Sequence, residues 1–202
     1  RYKEMDMKIE KRLIEVSSGS FIFEFSNSLD NSSCDDMIQR FEESTEDHYR
    51  GRVGQNFVEN EEVKKSTDMV ISGKDSWKDV DEVLFRSLSK ALATVKKEYD
   101  FFKGPFKDIG YAIQRTEPGE YFNWHIDSGS HQFSDRQLVA IWYLNDVEGP
   151  GGETEFINQN VKVKPEKGKL ILFPPFWTHE HRGVKLQKGM KYIATTWIVF
   201  KT

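Results

Sequence analysis

Two short polar motifs that lie far apart in the chain place the strongest limit on its fold. The first, His125-Ile126-Asp127, ends an aromatic and β-branched run that starts at Tyr121, and the second contains His181. Alternate side chains of a strand share a face, so His125 and Asp127 should lie side by side. More than fifty residues separate this pair from His181, which is too far for one helix or one hairpin. Only a closed, double-sheet barrel brings the three side chains together.

The spacing of apolar residues along the chain predicts helices first and strands later. Residues 34–46, which begin at a capping-box pattern from Ser33 to Asp36, and residues 76–99 have helical spacing. Beyond Lys107 the spacing changes to two residues, with turn residues between short runs. We therefore predict an α+β, mainly β fold, a double-stranded β-helix or jelly roll with N-terminal supporting helices. The predicted strands are 13–16, 21–25, 109–113, 121–127, 138–144, 154–157, 161–164, 169–173 and 191–200.

The same pattern predicts a single domain with two parts. Residues 1–106 should form N-terminal strands and supporting helices, and residues 107–202 the jelly-roll core. The polar stretch 44–65, with Gly51 and Gly54, is expected to form a loop.

Composition narrows the functional classes. The 202 residues carry a net charge of −4, which disfavours binding to nucleic acid. A single cysteine, Cys34, excludes an internal disulfide and fits a reducing compartment. The sequence has no apolar run long enough to cross a membrane and does not start like a signal peptide, so we expect a cytoplasmic protein without a membrane partner.

The polar residues predict a metal centre. Two histidines and one carboxylate form a facial triad that suits Fe(II) and leaves coordination positions open for chemistry. His179 is the alternative to His181, because both would share a face of one strand. The alternative for His125 and Asp127 is an ordinary hydrogen bond on a sheet surface. Ten residues after His181, Lys191 begins an apolar strand, where a buried ammonium needs a carboxylate partner such as a bound dicarboxylate.

Six segments, taken together, carry a resemblance to a known family. In chain order they are His125-Ile126-Asp127, Trp142-Tyr143-Leu144-Asn145, residues 151–156, residues 168–174, His181 with Gly183, and Gly189-Met190-Lys191-Tyr192. With these segments the chain resembles the iron and 2-oxoglutarate dependent dioxygenases, and within them the prolyl 4-hydroxylases.

The resemblance implies a role for each matching residue. His125, Asp127 and His181 would hold Fe(II), and Lys191 would pair with the C5 carboxylate of 2-oxoglutarate, with Tyr143 beside it. An intact Asp127 favours hydroxylation over halogenation. Many relatives carry a tyrosine shortly before the His-x-Asp pair, a place that residues 115 and 116 occupy here.

The resemblance also implies the reaction and its partners. Fe(II), 2-oxoglutarate and O2 would be required, with ascorbate as a candidate reductant, and a proline-containing peptide or protein would be hydroxylated. One alternative is oxidation of a free amino acid, another side chain or a nucleobase. An alternative from another class is a cupin-like metal-binding module without turnover.

Overall fold

The computed structural model describes residues 14–202, which form two α-helices and fifteen short or medium strands. The helices are α1 (Asn31–Glu43) and α2 (Lys78–Glu98). The strands, in chain order, are β1 (Phe23–Phe25), β2 (Tyr49–Arg50), β3 (Arg52–Val53), β4 (Val58–Glu59), β5 (Lys64–Lys65), β6 (Thr67–Val70), β7 (Phe106–Asp108), β8 (Ala112–Thr116), β9 (Tyr121–His125), β10 (Arg136–Tyr143), β11 (Thr154–Phe156), β12 (Val161–Val163), β13 (Leu170–Phe173), β14 (His181–Gly183) and β15 (Lys191–Phe200).

Most of these strands belong to two antiparallel sheets. The major sheet has eight strands in the order β1-β13-β10-β15-β8-β6-β2, with β7 paired to β15. The minor sheet has five strands in the order β12-β11-β14-β9-β5. Buried apolar side chains of both sheets, such as Ile141, Tyr143, Phe156 and Phe173, form one cluster. The predicted jelly roll is confirmed.

The opposite face of the major sheet packs against the two helices. Alternation along β10 separates the two sides, since Trp142 joins the cluster under the helices and Tyr143 the cluster between the sheets. From α2, Leu84 and Leu88 are buried in the helix-side cluster. Within residues 14–202, neither helix has the length and apolar character needed to cross a bilayer.

The start of α1 differs from the predicted one. The helix is capped by Asp30, whose Oδ1 accepts the backbone N–H of Ser33 at 2.7 Å, and so begins three residues before Cys34. The predicted capping box from Ser33 to Asp36 is wrong, because the earlier aspartate supplies the oxygen that satisfies the free N–H groups of the first turn. Cys34 is fully buried in the helix-side core, as expected of a small apolar residue.

Two further predictions of local structure are corrected. The stretch 44–65 is not a loop, since it holds β2, the hairpin of β3 with β4, and β5. Its strands are only two residues long and mostly polar, so they leave no periodic pattern in the sequence. Of the predicted strand 13–16, residue 13 lies outside the described part, and Glu15 makes a single bridge to Phe23. The expected division between residues 1–106 and 107–202 stays a prediction; strands from both sides of it share the major sheet.

The register of the minor sheet positions the candidate site. β14 pairs antiparallel with β9 so that His181 lies directly opposite His125. On its other side His181 lies opposite Phe156 of β11. This pairing joins the two motifs that the sequence separates.

Candidate metal centre and its pocket

His125, Asp127 and His181 converge on one point between the two sheets. One ligand atom from each lies within 4.8 Å of the others. The Nε2 atoms of His181 and His125 are 3.3 and 4.0 Å from Oδ2 of Asp127. Asp127 itself lies just past the end of β9, where its N–H donates to the carbonyl of Pro175 at 3.0 Å. The structure therefore brings together the three residues that the sequence singles out as metal ligands.

The hydrogen bonds of both imidazoles prepare them to bind a metal ion. Nδ1 of His125 lies 2.7 Å from the carbonyl oxygen of Asn123, and Nδ1 of His181 lies 2.9 Å from that of His179. A carbonyl only accepts, so each Nδ1 carries the proton and each Nε2 presents its lone pair toward Asp127. This is the tautomer that a metal site requires.

The carboxylate of Asp127 supplies the third ligand atom. Its Oδ1 accepts the indole N–H of Trp197 at 3.0 Å, and its main-chain oxygen accepts Nη1 of Arg136 at 2.7 Å. Its Oδ2 is buried and has no hydrogen-bond partner among the described residues. A buried carboxylate oxygen without a partner is costly unless a cation binds it. The donor set of two imidazoles and one carboxylate thus fits Fe(II).

Burial keeps His125 neutral. The pKa of its imidazole is lowered to about 3, first because burial disfavours the charged ring and next because His181 lies beside it; Asp127 opposes the shift. The ring of Phe122 stacks on His125 at 3.5 Å between centroids and 8° between planes. The stacking fixes the ring plane, and neutrality leaves the ring free to bind a metal at ordinary pH.

His179 does not face the metal centre. It lies in a 3₁₀ turn (Trp177–His179) rather than on the strand of His181, so the expectation that the two share a strand face is wrong. Its Nε2 donates to the carbonyl of Ser20 at 2.8 Å, and its Nδ1 accepts the hydroxyl of Thr178 at 2.8 Å. Both ring nitrogens are used, so His179 anchors a turn.

The two remaining histidines have structural or exposed positions. His48 stacks on Phe41 and bonds its carbonyl, and His131 lies in an exposed turn outside the triad. Next to His181, Arg182 pairs with Glu155 and takes no part in the triad.

A cavity of about 60 Å³ extends from the triad into the barrel. His125, His181, Thr154 and Lys191 line it. Lys191 is buried, and no carboxylate of the described residues lies within 4.0 Å of its Nζ. Burial lowers its pKa to about 8, against the weaker opposing effect of Glu153. A buried ammonium without a carboxylate partner is costly, so this position suits an anionic ligand.

Tyr143 lies at the inner wall behind this cavity. Its hydroxyl and that of Thr154 are 2.6 Å apart, and Nζ of Lys191 is 5.8 Å from its ring centroid. Burial raises the pKa of the phenol, which therefore stays protonated. Thr154 thus connects the Tyr143 hydroxyl to the cavity wall. The sequence Gly-Gly-Glu-Thr did not indicate this position for Thr154.

A wider cleft of about 330 Å³ opens on the other side of His125 and Asp127. Phe57 of the β3–β4 hairpin and Phe133 line it and contact each other, with 6.5 Å between ring centroids. The guanidinium of Arg136 lies between the rings of Phe133 and Trp197, at 3.8 and 4.0 Å from their centroids. The sequence analysis missed Arg136 and Trp197. Period-two alternation from Lys191 places Trp197 on the cavity face and could have found it.

Comparison with known proteins agrees with this geometry. Residues 111–199 match the family model described as the 2OG-Fe(II) oxygenase superfamily. A putative prolyl 4-hydroxylase of Acanthamoeba polyphaga mimivirus is 32% identical over 115 residues, which are 48% of this chain and 47% of that protein. A PKHD-type hydroxylase of Synechococcus sp. (strain CC9902) is 26% identical over 89 residues, 43% of this chain and 39% of that protein. The matched segments thus span less than half the length of each relative.

Two solved structures have the same fold. The viral collagen prolyl hydroxylase of Paramecium Bursaria Chlorella virus-1, in its 2OG complex, aligns with a TM-score of 0.70 at 21% identity over 92% of this chain and 99% of that one. A prolyl hydroxylase of Trichoplax adhaerens, in complex with a hypoxia inducible factor peptide fragment, aligns with a TM-score of 0.77 at 17% identity over 98% and 92%.

The comparisons show the fold and a resemblance over part of the chain. Residues 111–199, which are less than half of the chain, are similar to the 2OG-Fe(II) oxygenase superfamily, and the first of these relatives is named a putative prolyl 4-hydroxylase. The residues that fit the iron lie inside the matched segment, as does Lys191.

Proposed function

We propose that this protein is an Fe(II)- and 2-oxoglutarate-dependent dioxygenase that hydroxylates a prolyl residue in a peptide or protein. The observation that carries the proposal is the convergence of two metal-ready imidazoles and one partnerless carboxylate oxygen beside a cavity that contains an unpaired, buried lysine. A metal-binding module without turnover has no need of that lysine.

His125, Asp127 and His181 would hold the iron on one side only, because all three ligands come from the wall formed by β9, β14 and the chain after β9. When bound, iron and 2-oxoglutarate supply the oxidant that inserts one atom of O2 into a C–H bond, with release of succinate and CO2. The protein contributes ligand orientation: Trp197 and two backbone carbonyls fix the three side chains before any metal arrives.

Lys191 would bind the C5 carboxylate of 2-oxoglutarate. Its ammonium is buried, so an ion pair with a carboxylate is stronger there than in water. Thr154, whose hydroxyl is oriented by Tyr143, would add a hydrogen bond from the cavity wall. The dianionic cosubstrate and the Asp127 carboxylate would together balance a divalent metal ion and one ammonium, which leaves the buried site neutral.

The wider cleft would receive the substrate. Its walls combine aromatic rings, Phe57, Phe133 and Trp197, with the guanidinium of Arg136, a lining that suits an extended peptide with an apolar ring. The similar proteins named prolyl hydroxylases, one of them bound to a peptide fragment, support a proline-containing substrate. A net charge of −4 gives nucleic acid no general attraction.

Turnover of 2-oxoglutarate tests the proposal directly. The protein should form succinate with Fe(II), O2 and 2-oxoglutarate, with ascorbate as the reductant that sustains activity, and proline-rich peptides should stimulate it. Mass spectrometry should find one added oxygen atom on a proline of the peptide, and a matched peptide with alanine for that proline serves as the control.

The other outcomes separate the rival functions. Oxygen added to a free amino acid, another side chain or a nucleobase, with prolyl peptides inert, would reject the prolyl substrate and keep the chemistry. Tight metal binding without 2-oxoglutarate turnover would reject the enzyme. We also propose a cytoplasmic location, supported by the single buried cysteine, and cell fractionation of the tagged protein tests it.

A further inference from the structure

An aromatic surface with lysines around it lies where α2 and β15 end. The ring of Phe102 stacks on that of Phe106 at 4.5 Å between centroids, and Phe106 stacks on Phe200 at 5.6 Å. The pairing of β7 with β15 places Phe106 directly opposite Phe200. We call this surface, residues 96–107 with 200 and 201, the Phe101 patch. None of its residues belongs to the metal centre or lines either cavity, so the function proposed above does not use it.

Phe101 projects from the patch into solvent. It is fully exposed, at 102% of its reference area, the highest value among the large apolar residues that the structure describes. The next rings along the chain, Phe102 and Phe106, pack against the helix-side core, and the N–H of Phe102 donates to the carbonyl of Tyr99 at 3.0 Å. The loop is therefore held from within while Phe101 stays outside. Removing such a ring from water is favourable, so its position suits contact with a partner.

Lysines flank the exposed rings. Nζ of Lys96 lies over the ring of Phe106, 5.2 Å from the centroid. Residues 96–107 with 200 and 201 carry five lysines against Glu98 and Asp100, a net charge of +3 in a chain whose net charge is −4. Within residues 14–202, none of the five makes an ion pair. All are exposed, the last two at the edge of the major sheet: Lys96, Lys97, Lys103, Lys107 and Lys201. Such a concentration of unpaired positive charge complements an anionic partner.

The shape of the patch favours one anionic partner over another. A peptide is bound in a groove or along a sheet edge, with pockets for its side chains. Phe101 projects instead of forming the wall of a pocket. A projecting ring among lysines matches a lipid interface, where aromatic rings enter the headgroup layer and lysines are attracted to anionic lipids. The cytoplasmic leaflet of a membrane carries such lipids, in agreement with the proposed location.

We propose that the Phe101 patch binds the surface of an anionic membrane, with the ring of Phe101 in the headgroup layer and the lysines against the lipid phosphates. The contact is peripheral and needs no segment that crosses the bilayer. It replaces the expectation of a protein without a membrane partner, and it goes beyond the proposed function, which does not depend on it.

Sedimentation with lipid vesicles tests the inference on the full chain. The protein should bind vesicles of phosphatidylcholine mixed with phosphatidylserine and should not bind vesicles of phosphatidylcholine alone. Added salt should weaken the binding, because it screens exposed charges. The triple variant with Lys96→Gln, Lys97→Gln and Lys103→Gln should weaken it about a hundredfold, since each lysine near an anionic surface contributes roughly fivefold.

Matched variants separate the patch from the charge and apolar area of the whole protein. Lys164→Gln, Lys185→Gln and Lys188→Gln together change the net charge by the same amount, at exposed positions in and near the minor sheet, and should leave the binding close to the wild-type value. Phe101→Ser should weaken the binding about tenfold, because the ring no longer leaves water. Phe85→Ser, at an exposed phenylalanine of α2, should have no effect.

The remaining outcomes overturn the inference. Absence of binding to both kinds of vesicle rejects it, as does an equal loss in the patch and control variants. Binding to a polyglutamate peptide without binding to vesicles rejects the membrane and assigns the patch to an acidic protein. Succinate formation should stay at the wild-type value in every variant, which controls for folding. Loss of the vesicle binding therefore leaves the proposed function intact, and absence of turnover in the wild type leaves the patch intact.

Discussion

The two faces of the major sheet share one backbone, but one face packs the core and the other lines the candidate site. On the helix side, β10 and β15 present Ala140, Trp142, Ala194 and Ile198, which are all buried in an apolar cluster. On the cavity side, every other residue of β15 from Lys191 to Trp197 faces the site region. The helix-side face stabilises the fold by burying apolar area. The cavity-side face destabilises the ligand-free fold, because its buried polar groups have no partners. Substitutions on the two faces should therefore separate stability from binding.

The largest effect on binding is expected at the triad, which lies across the cavity from the major sheet. Asp127→Ala and His181→Ala should each weaken metal binding by more than about a hundredfold and should abolish succinate formation. Loss of a residue that only orients a ligand weakens metal binding by at most about a hundredfold, and these two residues are the ligands themselves. His179→Ala is the matched control, because the side chain of His179 holds only Ser20 and Thr178, and its main-chain bond to His181 is kept. It should lower the melting temperature and leave metal affinity unchanged. Calorimetric metal titration checks all three variants, and full turnover in His181→Ala would reject the triad.

The helix side should show the reverse pattern. Leu84→Ala removes a fully buried side chain of α2 and should lower the free energy of unfolding by about 3 kcal/mol. Its Kd for 2-oxoglutarate should stay at the wild-type value, because no residue of α2 lines either cavity. Urea denaturation and calorimetry measure the two quantities. A weakened Kd at unchanged stability would show that the two faces are not independent.

Lys191 should show that the cavity face costs stability. Lys191→Met should raise the Kd for 2-oxoglutarate about thirtyfold and increase the stability of the ligand-free protein. The pKa of Lys191 falls from 10.5 to about 8 on folding, so the unfolded chain binds more protons between these values. Wild-type stability should gain a contribution as pH rises from about 8 to 10.5, and Lys191→Met should lose it. Thermal melts of both proteins across this pH range measure the contribution. If stability depends on pH in the same way in both proteins, burial of the Lys191 ammonium does not cost stability.

Sequence patterns predicted the parts of the molecule in which one physical signal dominates. Long periodic runs predicted α2 and β15, and the His-x-Asp spacing with a distant histidine predicted which side chains would meet. The signal failed where tertiary contacts decide the local structure. Strands β2 to β5 are short and polar, and they form because the minor sheet and the cleft wall supply their partners. Trp197 looks like an ordinary strand residue until the pairing of β15 assigns it to the cavity face.

Two tryptophans allow the finest comparison, because each donates one indole hydrogen bond from a different face. Trp197 donates to Oδ1 of Asp127 at 3.0 Å, and Trp142 donates to Oγ of Ser87 at 2.9 Å. Trp197→Phe should weaken metal binding about tenfold, because Asp127 loses the donor that turns Oδ2 toward the histidines. Trp142→Phe should instead lower the free energy of unfolding by about 1 kcal/mol, because Ser87 loses the buried indole bond and keeps only its bond to Ser28.

The two variants together test whether orientation, and not packing, is what Trp197 contributes. Metal titration and urea denaturation on the same samples should give a crossed result, with each variant changing one quantity. Trp197→Phe keeps an aromatic ring beside Arg136, so the contact between ring and guanidinium is retained and cannot account for the loss. Equal metal affinity in Trp197→Phe and wild type would mean that the backbone bonds of Asp127 and Ser128 to the carbonyl of Pro175 suffice to hold the carboxylate in place.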